Sequence, residues 1–332
     1  MSGGIKANAL RAFGFAKRLA AESWRDFLCA EFGKTAHMAF AAPSWLAGMP
    51  HAMSIEPVNS CNLRCEFCTT PHASLKRKRS LMKLAEFRKV VDGLPCSVHY
   101  LWLFFAGEPL LNPELPEMVG YASSKNLNSI VNTNATLLTR ETSRRLINAK
   151  LDRLIVSLDS ITKENYEKMR RGGNFEEVMQ NLAAFAEEKR AARSAKPKLV
   201  LQMIETKLNR HEVHEFKKFA ASLDATATIK SFAIPSWGYT PREIADMKEK
   251  FLPKDYAANT SDKGCSFIRK GVVLVDGTVT PCCYDFHSKY RFGNALEVPF
   301  RDIWGSKEYG RAREMMRMRK LSICETCADS RD

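Results

Sequence analysis

The stretch Cys61-Asn62-Leu63-Arg64-Cys65-Glu66-Phe67-Cys68 constrains this chain more than any other. Three cysteines fall within eight residues, spaced C-x3-C-x2-C. So dense a group does not read as core packing, and loops this short strain any disulfide between them. The natural use of such thiolates is to hold one metal centre from one loop. The count is informative. A closed zinc site takes four ligands, whereas a reactive metal centre keeps one position open. An iron–sulfur cluster normally takes four cysteines. Three local ones without a nearby fourth point to a cluster with one iron left for a small molecule.

The chain holds ten cysteines in 332 residues, and they are spread unevenly. Cys265, Cys282, Cys283, Cys324 and Cys327 form a second group, with four or five thiolates for a closed site. Cys29 and Cys96 stand alone and read as small buried hydrophobes. No apolar run reaches membrane-spanning length. The start, Ser2-Gly3-Gly4-Ile5-Lys6, opens no compact signal-peptide core. The expected location is therefore the cytoplasm, where clustered cysteines read as metal or redox ligands. A hydrophobic content of 45% beside 27% charged residues excludes a disordered chain. The formal net charge of +14 fits either an anionic partner (nucleic acid, a phosphorylated substrate or a membrane surface) or solvated basic helix faces. The densest run, Lys76-Arg77-Lys78-Arg79, reads as a solvated face, and no nucleic-acid motif accompanies it.

Residues 1–50 read as a helical lead-in, with Leu10, Phe13, Leu19, Trp24 and Phe27 at roughly helical spacing among arginines and lysines. Such a segment packs on the main domain or lies on a membrane surface. From 51 to 235 strand and helix alternate. Strands are expected at 53–56, 99–105, 129–132, 153–158, 198–204 and 228–234, the second apolar enough to be buried on both faces. Thr139 is placed to cap a helix. Six βα units predict an α/β fold: a parallel sheet with helices outside, curled into a partial (β/α)6 TIM-like barrel. Catalytic groups then gather at the carboxyl ends of the strands. Residues 236–262, with Gly238, Pro241 and Pro253, read as a linker, and 263–332 as a small cysteine-rich module. Within it, Asp276-Gly277 predicts a type I′ hairpin turn.

The cysteine loop, with Phe67 before its last cysteine, resembles the C-x3-C-x-aromatic-C loop of the radical S-adenosylmethionine (SAM) family. That loop follows the first strand of a partial barrel, and SAM chelates the fourth iron through its amino and carboxylate groups. Ala106-Gly107-Glu108-Pro109 resembles the family's G-G-E-P motif, which implies that Gly107 and Glu108 engage the SAM amino group; Ala106 departs from the usual glycine. Asn134 lies in a stretch similar to T-N-G, with Ala135 in place of the glycine. Ser157 and Asp159 match an S-x-D-[GS] stretch that contacts SAM. Arg170-Arg171-Gly172-Gly173 is similar to the family's R-G-G segment and implies Arg171, or alternatively Arg170, as partner of the SAM carboxylate, which a guanidinium fork suits.

The C-terminal module resembles the SPASM region in its short, twitch-like form. The matching residues are Asp276 to Cys282 (D-G-x-V-x-P-C), Gly293-Asn294, Asp302-Ile303-Trp304, and Cys324-x-x-Cys327. The fuller form has seven cysteines and two clusters. With five here, the resemblance implies one auxiliary [4Fe–4S] cluster on Cys265, Cys282, Cys324 and Cys327, zinc being the alternative occupant. Cys283 then exchanges with Cys282 or is spare.

The implied cofactors are SAM and two [4Fe–4S] clusters. Reductive SAM cleavage would give a 5′-deoxyadenosyl radical that takes hydrogen from an unactivated C–H bond. The expected substrate is a small hydroxylated or sugar-like molecule, undergoing dehydrogenation or epimerisation, with Cys283 a hydrogen-atom donor in the latter. Arg170, Gln202, Glu205, Trp237 and Tyr239 are candidate substrate contacts, and a flavodoxin or ferredoxin the external electron donor. The alternatives are a radical SAM peptide maturase and, from another class, a zinc- and nucleic-acid-binding protein.

Overall fold

The computed structural model describes residues 48–68, 75–232, 240–253, 265–324 and 327. The lead-in up to residue 47, Trp237 and Tyr239 lie outside the described residues. Six strands, β1 (Ala52–Ile55), β2 (Tyr100–Trp102), β3 (Asn128–Thr133), β4 (Arg153–Ser157), β5 (Lys198–Glu205) and β6 (Thr226–Ser231), pair in parallel, each with the next in sequence. The connections carry helices α1 (Leu84–Asp92), α2 (Leu115–Ser124), α3 (Arg140–Asn148), α4 (Lys163–Met169), α5 (Phe175–Ala191) and α6 (Val213–Ser222). The result is the expected α/β partial barrel. Thr139 caps α3 by accepting the Thr142 N–H at 3.2 Å.

Period-two alternation divides each strand between two environments. Met53, Ile55, Leu101, Leu103, Val131, Leu154, Val156, Leu199 and Leu201 share one buried core with Phe87, Met118, Leu146, Phe185 and Phe216 of the helices. Each such side chain contributes roughly 1.5–3 kcal/mol by leaving water. The alternate residues Trp102, Asn132, Ile155, Ser157 and Val200 are only half-buried and face the lumen. The second strand is thus shorter than expected and not buried on both faces. Tyr100 is exposed, while Trp102, Phe104 and Phe105 border a cavity.

Two boundaries also differ from expectation. The segment read as a linker holds α7 (Pro241–Phe251), opened by a capping box in which Thr240 Oγ1 accepts the Glu243 N–H and Glu243 accepts the Thr240 N–H. Pro241, read as a breaker, occupies the first turn, where its missing N–H costs nothing. The cysteine-rich module is not separate from the sheet. Its strand β7 (Lys270–Val273) pairs in parallel with β1, and β8 (Val279–Thr280) pairs antiparallel with β7. The sheet order is therefore β6-β5-β4-β3-β2-β1-β7-β8. Helices α8 (Phe300–Gly305) and α9 (Lys307–Arg317) follow. The hairpin turn is not type I′, which needs positive φ at two residues. Only Gly277 has it, at 82°, and its N–H closes a turn on the Leu274 carbonyl.

The physical reason lies beside it. Glu56, wholly buried just after β1, accepts the Val275 N–H at 2.9 Å. Both of its carboxylate oxygens also receive Arg77, at 2.7 Å each, and Arg77 Nε donates to the Phe286 carbonyl at 2.7 Å. Arg77 is therefore no solvated member of a basic run: its side chain is 6% exposed and bolts the module to the first barrel strand. Lys76 and Lys78 beside it are exposed. No helix among the described residues is long and apolar enough to cross a membrane.

Candidate active site

The cysteine loop leaves the carboxyl end of β1 and is fixed by the ends of its neighbours. Gly107 follows β2 with φ 83°, a conformation that suits glycine. A Cβ there would stand 2.5 Å from the Ser60 carbonyl and 2.7 Å from that of Val58, so only glycine lets the two loops cross. The next residue, Glu108, donates its N–H to the Ser60 carbonyl at 2.8 Å. Its carboxylate is buried and accepts Thr133 Oγ1 at 2.6 Å, the Asn134 N–H at 2.8 Å and the Leu110 N–H at 3.1 Å. Burial nevertheless holds its pKa above the usual carboxylate range. Asn134 Nδ2 in turn reaches Asn62 Oδ1 at 3.0 Å and lies 3.9 Å from Cys61 Sγ. Glu108 thus ties the ends of β2 and β3 together, and Asn134 carries that tie to the thiols.

The end of β4 supplies a second brace. Asp159 has φ 62° and is wholly buried. One carboxylate oxygen accepts the Ile204 N–H at 2.8 Å, and the other lies 2.5 Å from Arg170 Nη2. Arg170 Nη1 is 4.0 Å from Cys65 Sγ. Burial works against the guanidinium's charge, but Asp159 and Cys65 outweigh it and keep Arg170 firmly protonated. Arg171 is placed differently. Its side chain is 62% exposed and 4.0 Å from Glu66, while its carbonyl accepts the Arg64 N–H at 2.8 Å. The guanidinium at the cysteine loop is therefore that of Arg170. Ser157 donates to Asn132 Oδ1 at 3.0 Å. Phe67 points away from the lumen's polar groups, edge-on to Phe232 and Phe251 at 5.5 Å in each case. It anchors the loop against the apolar face of α7.

Burial pushes the Cys61 thiol up to about 12, and Cys65 upward as well. Bare thiolates are disfavoured there, and cationic iron removes that penalty. The N–H of Leu63, 3.4 Å from Cys61 Sγ, and the nearby Asn134 and Arg170 groups are suited to donate toward cluster and thiolate sulfurs.

In the module, Cys265, Cys282 and Cys324 share an apolar pocket with Met316, Leu321 and Phe267, and Cys327 follows the turn after Cys324. Cys282 is raised by burial first, then by its neighbours Cys283, Cys265 and Cys327. Among the described residues, no three His, Cys, Asp or Glu side chains converge as ligands of a single metal ion. Cys283 neighbours Cys282 and also borders a cavity of about 560 Å³, which it lines together with Ser54, Trp102, Ile155 and Lys230 of the barrel and Tyr284 and Phe286 of the module. Gln202, buried within β5, and Glu205, at its end and paired with Arg210 at 3.7 Å, do not line it.

Comparison with known proteins agrees with this geometry. The radical SAM superfamily pattern matches residues 55–220, half of the chain, so the chain belongs to that superfamily. The pattern of the SPASM iron–sulfur cluster-binding domain matches residues 265–328. The protein is thus an iron–sulfur enzyme that uses SAM, with a [4Fe–4S] cluster in its core and further iron–sulfur binding in its C-terminal module. A tungsten-containing aldehyde ferredoxin oxidoreductase cofactor-modifying protein of Pyrococcus furiosus is 24% identical over 314 residues, covering 82% of this chain and 86% of that protein. The structure of BtrN in complex with AdoMet and 2-DOIA matches with a TM-score of 0.54 at 18% identity, over 84% of this chain and 93% of that one. Streptococcus suis SuiB bound to S-adenosylmethionine matches with a TM-score of 0.64 at 15% identity, over 95% and 83%. At such identities the structural likeness concerns the fold alone.

Proposed function

We propose that this enzyme removes hydrogen from a small hydroxylated or sugar-like molecule held in the barrel cavity, leading to dehydrogenation or epimerisation. One observation carries the reading: Cys283, a thiol of the auxiliary module, lines the cavity bordered by residues of β1, β2, β3, β4 and β6. A pocket of about 560 Å³ is in the range that takes a small molecule.

Cys61, Cys65 and Cys68 would hold the SAM-binding [4Fe–4S] cluster, and Cys265, Cys282, Cys324 and Cys327 the auxiliary one. Gly107, Glu108, Asn134, Ser157 and Asp159 shape the SAM site, Phe67 braces it, and Arg170 rather than Arg171 places a guanidinium there. When bound, reduced cluster and SAM together supply a 5′-deoxyadenosyl radical, the agent of hydrogen abstraction. The barrel walls orient the substrate and keep water from the radical. Cys283 is placed to give its sulfur-bound hydrogen atom to a substrate carbon radical. One electron from an external donor of the flavodoxin or ferredoxin class and one proton from solvent would then restore the thiol.

The test is anaerobic turnover with reductant, SAM and candidate substrates deuterated at the reacting carbon. Deuterium entering 5′-deoxyadenosine identifies the abstraction. Solvent-derived hydrogen in an inverted product that is lost in Cys283→Ala supports epimerisation. Full turnover by Cys283→Ala with both iron sites intact removes Cys283 from the chemistry. Turnover of a linear peptide but of no small molecule would favour the maturase reading; SuiB has been crystallised bound to its precursor peptide SuiA.

A further inference from the structure

The cavity beside Cys283 has an unbalanced charge. Two of its lining residues are cations: Arg153, at the amino end of β4, and Lys230, near the carboxyl end of β6. No acidic side chain lines the cavity among the described residues. The buried carboxylates near the strand ends are already engaged. Glu56 is held by Arg77, Asp159 by Arg170, and Glu108 by Thr133, Asn134 and Leu110. Neither Arg153 nor Lys230 makes an ion pair among the described residues.

The rest of the wall is aromatic. Trp102 lies 6.5 Å from Phe104 in a stacked arrangement and 6.2 Å edge-on to Phe267, and Phe105 stacks on Phe286 at 4.8 Å. Such rings favour a ligand that presents an apolar face. Apolar walls also strengthen the pull of a cation on an anion, because they exclude water.

We propose that the substrate is a small anion, carrying a carboxylate or a phosphate for Lys230, at the carboxyl side of the cavity, or for Arg153, at its amino side, and an apolar ring face for the aromatic wall. This rests on the reading of the cavity as the substrate site. It sharpens that reading, since Arg153 and Lys230 are exposed at the cavity's two ends and would meet only water beside a neutral sugar.

The test is calorimetric binding to the anaerobic, SAM-loaded holoenzyme. Three probes share one ring system: 2-naphthoate, 2-naphthyl phosphate and the neutral 2-naphthamide. At least one anion should bind about tenfold or more tightly than the amide, about 1.4 kcal/mol, and the better anion tells carboxylate from phosphate. The Arg153→Met/Lys230→Met double variant should lose that preference while still binding the amide and retaining its iron. Lys217→Met, which changes an exposed charge on α6, should keep the preference. Equal affinity for all three probes, no binding of either anion, or a preference that survives the double substitution would overturn the proposal. So would a double variant whose loss is confined to SAM affinity. Ile155→Trp separates the underlying reading: it fills the cavity and should weaken all three probes. If it weakens none, the probes bind elsewhere and the cavity is not the site.

Discussion

The two cysteine groups sit in contrasting surroundings. Cys61 and Cys65 lie among polar groups drawn from three strand ends: the Leu63 N–H, the Asn134 amide and the Arg170 guanidinium. Cys282 lies among Met316, Leu321, Tyr290 and Phe267, with a Tyr284 backbone N–H for polar relief. N–H donors and a nearby cation favour thiolate charge, whereas an apolar pocket penalises it. The first site is therefore held by an interlocked polar frame, and the second by packing between α9 and the hairpin. The Arg77–Glu56 pair joins them, because Glu56 ends the strand that leads to one site and Arg77 holds the Phe286 carbonyl near the other.

The polar frame should fail sharply when its crossing points are filled. Gly107→Ala places a methyl 2.5 Å from the Ser60 carbonyl at a positive φ, and should cost at least about 3 kcal/mol. Chemical denaturation and iron content would check this: the core cluster should be lost first, with the module's iron retained. A full complement of iron in Gly107→Ala would mean that the loop is adaptable.

Arg170→Met leaves Asp159 buried without its cation, so it should cost about 3–5 kcal/mol and weaken SAM binding. Arg171→Met, at a mostly exposed side chain, should change stability by less than about 0.5 kcal/mol. Equal effects in the two variants would erase the distinction between the arginines.

A smaller loss than at Arg170 is expected at Glu212, which braces the turn after β4 by accepting Ser160 Oγ, the Ile161 N–H, Thr162 Oγ1 and Asn165 Nδ2. Burial alone would raise its pKa, but these four donors outweigh it and hold the carboxyl below its usual range. A depressed acid stabilises the fold fully above its unfolded pKa of about 4.3, and that contribution fades as pH falls through the folded value. Glu212→Gln should therefore cost about 1–2 kcal/mol at neutral pH and less toward pH 3. A pH-independent difference in melting temperature would show that the charge is not what matters.

Much of the site was legible because cluster ligation restricts both residue type and spacing. Cys61, Cys65 and Cys68, the Gly107-Glu108 turn and the Asp159 turn could be placed on strand ends before any geometry was known. What stayed hidden depends on long-range partners. Arg77 looks like its basic neighbours until Glu56, 21 residues back, is seen beneath it. Arg170 and Arg171 are adjacent, and only the buried, left-handed Asp159 determines which guanidinium turns inward. Pro241 is equally at home in a linker and in a helix's first turn. The pairing of β7 with β1 follows from the open edge of the barrel, which local patterns do not encode. Arg153 and Lys230 carry no motif; their place in one cavity comes from sheet curvature.

Iron content and absorption of the anaerobically reconstituted protein test the two-site account most directly. With [4Fe–4S] clusters at both sites, the wild type should be brown and hold about eight irons per chain. Replacing Cys61, Cys65 and Cys68 together, or Cys265, Cys282, Cys324 and Cys327 together, should leave about four in either case. A wild type with only about four irons, or with zinc in the C-terminal module, would contradict the account.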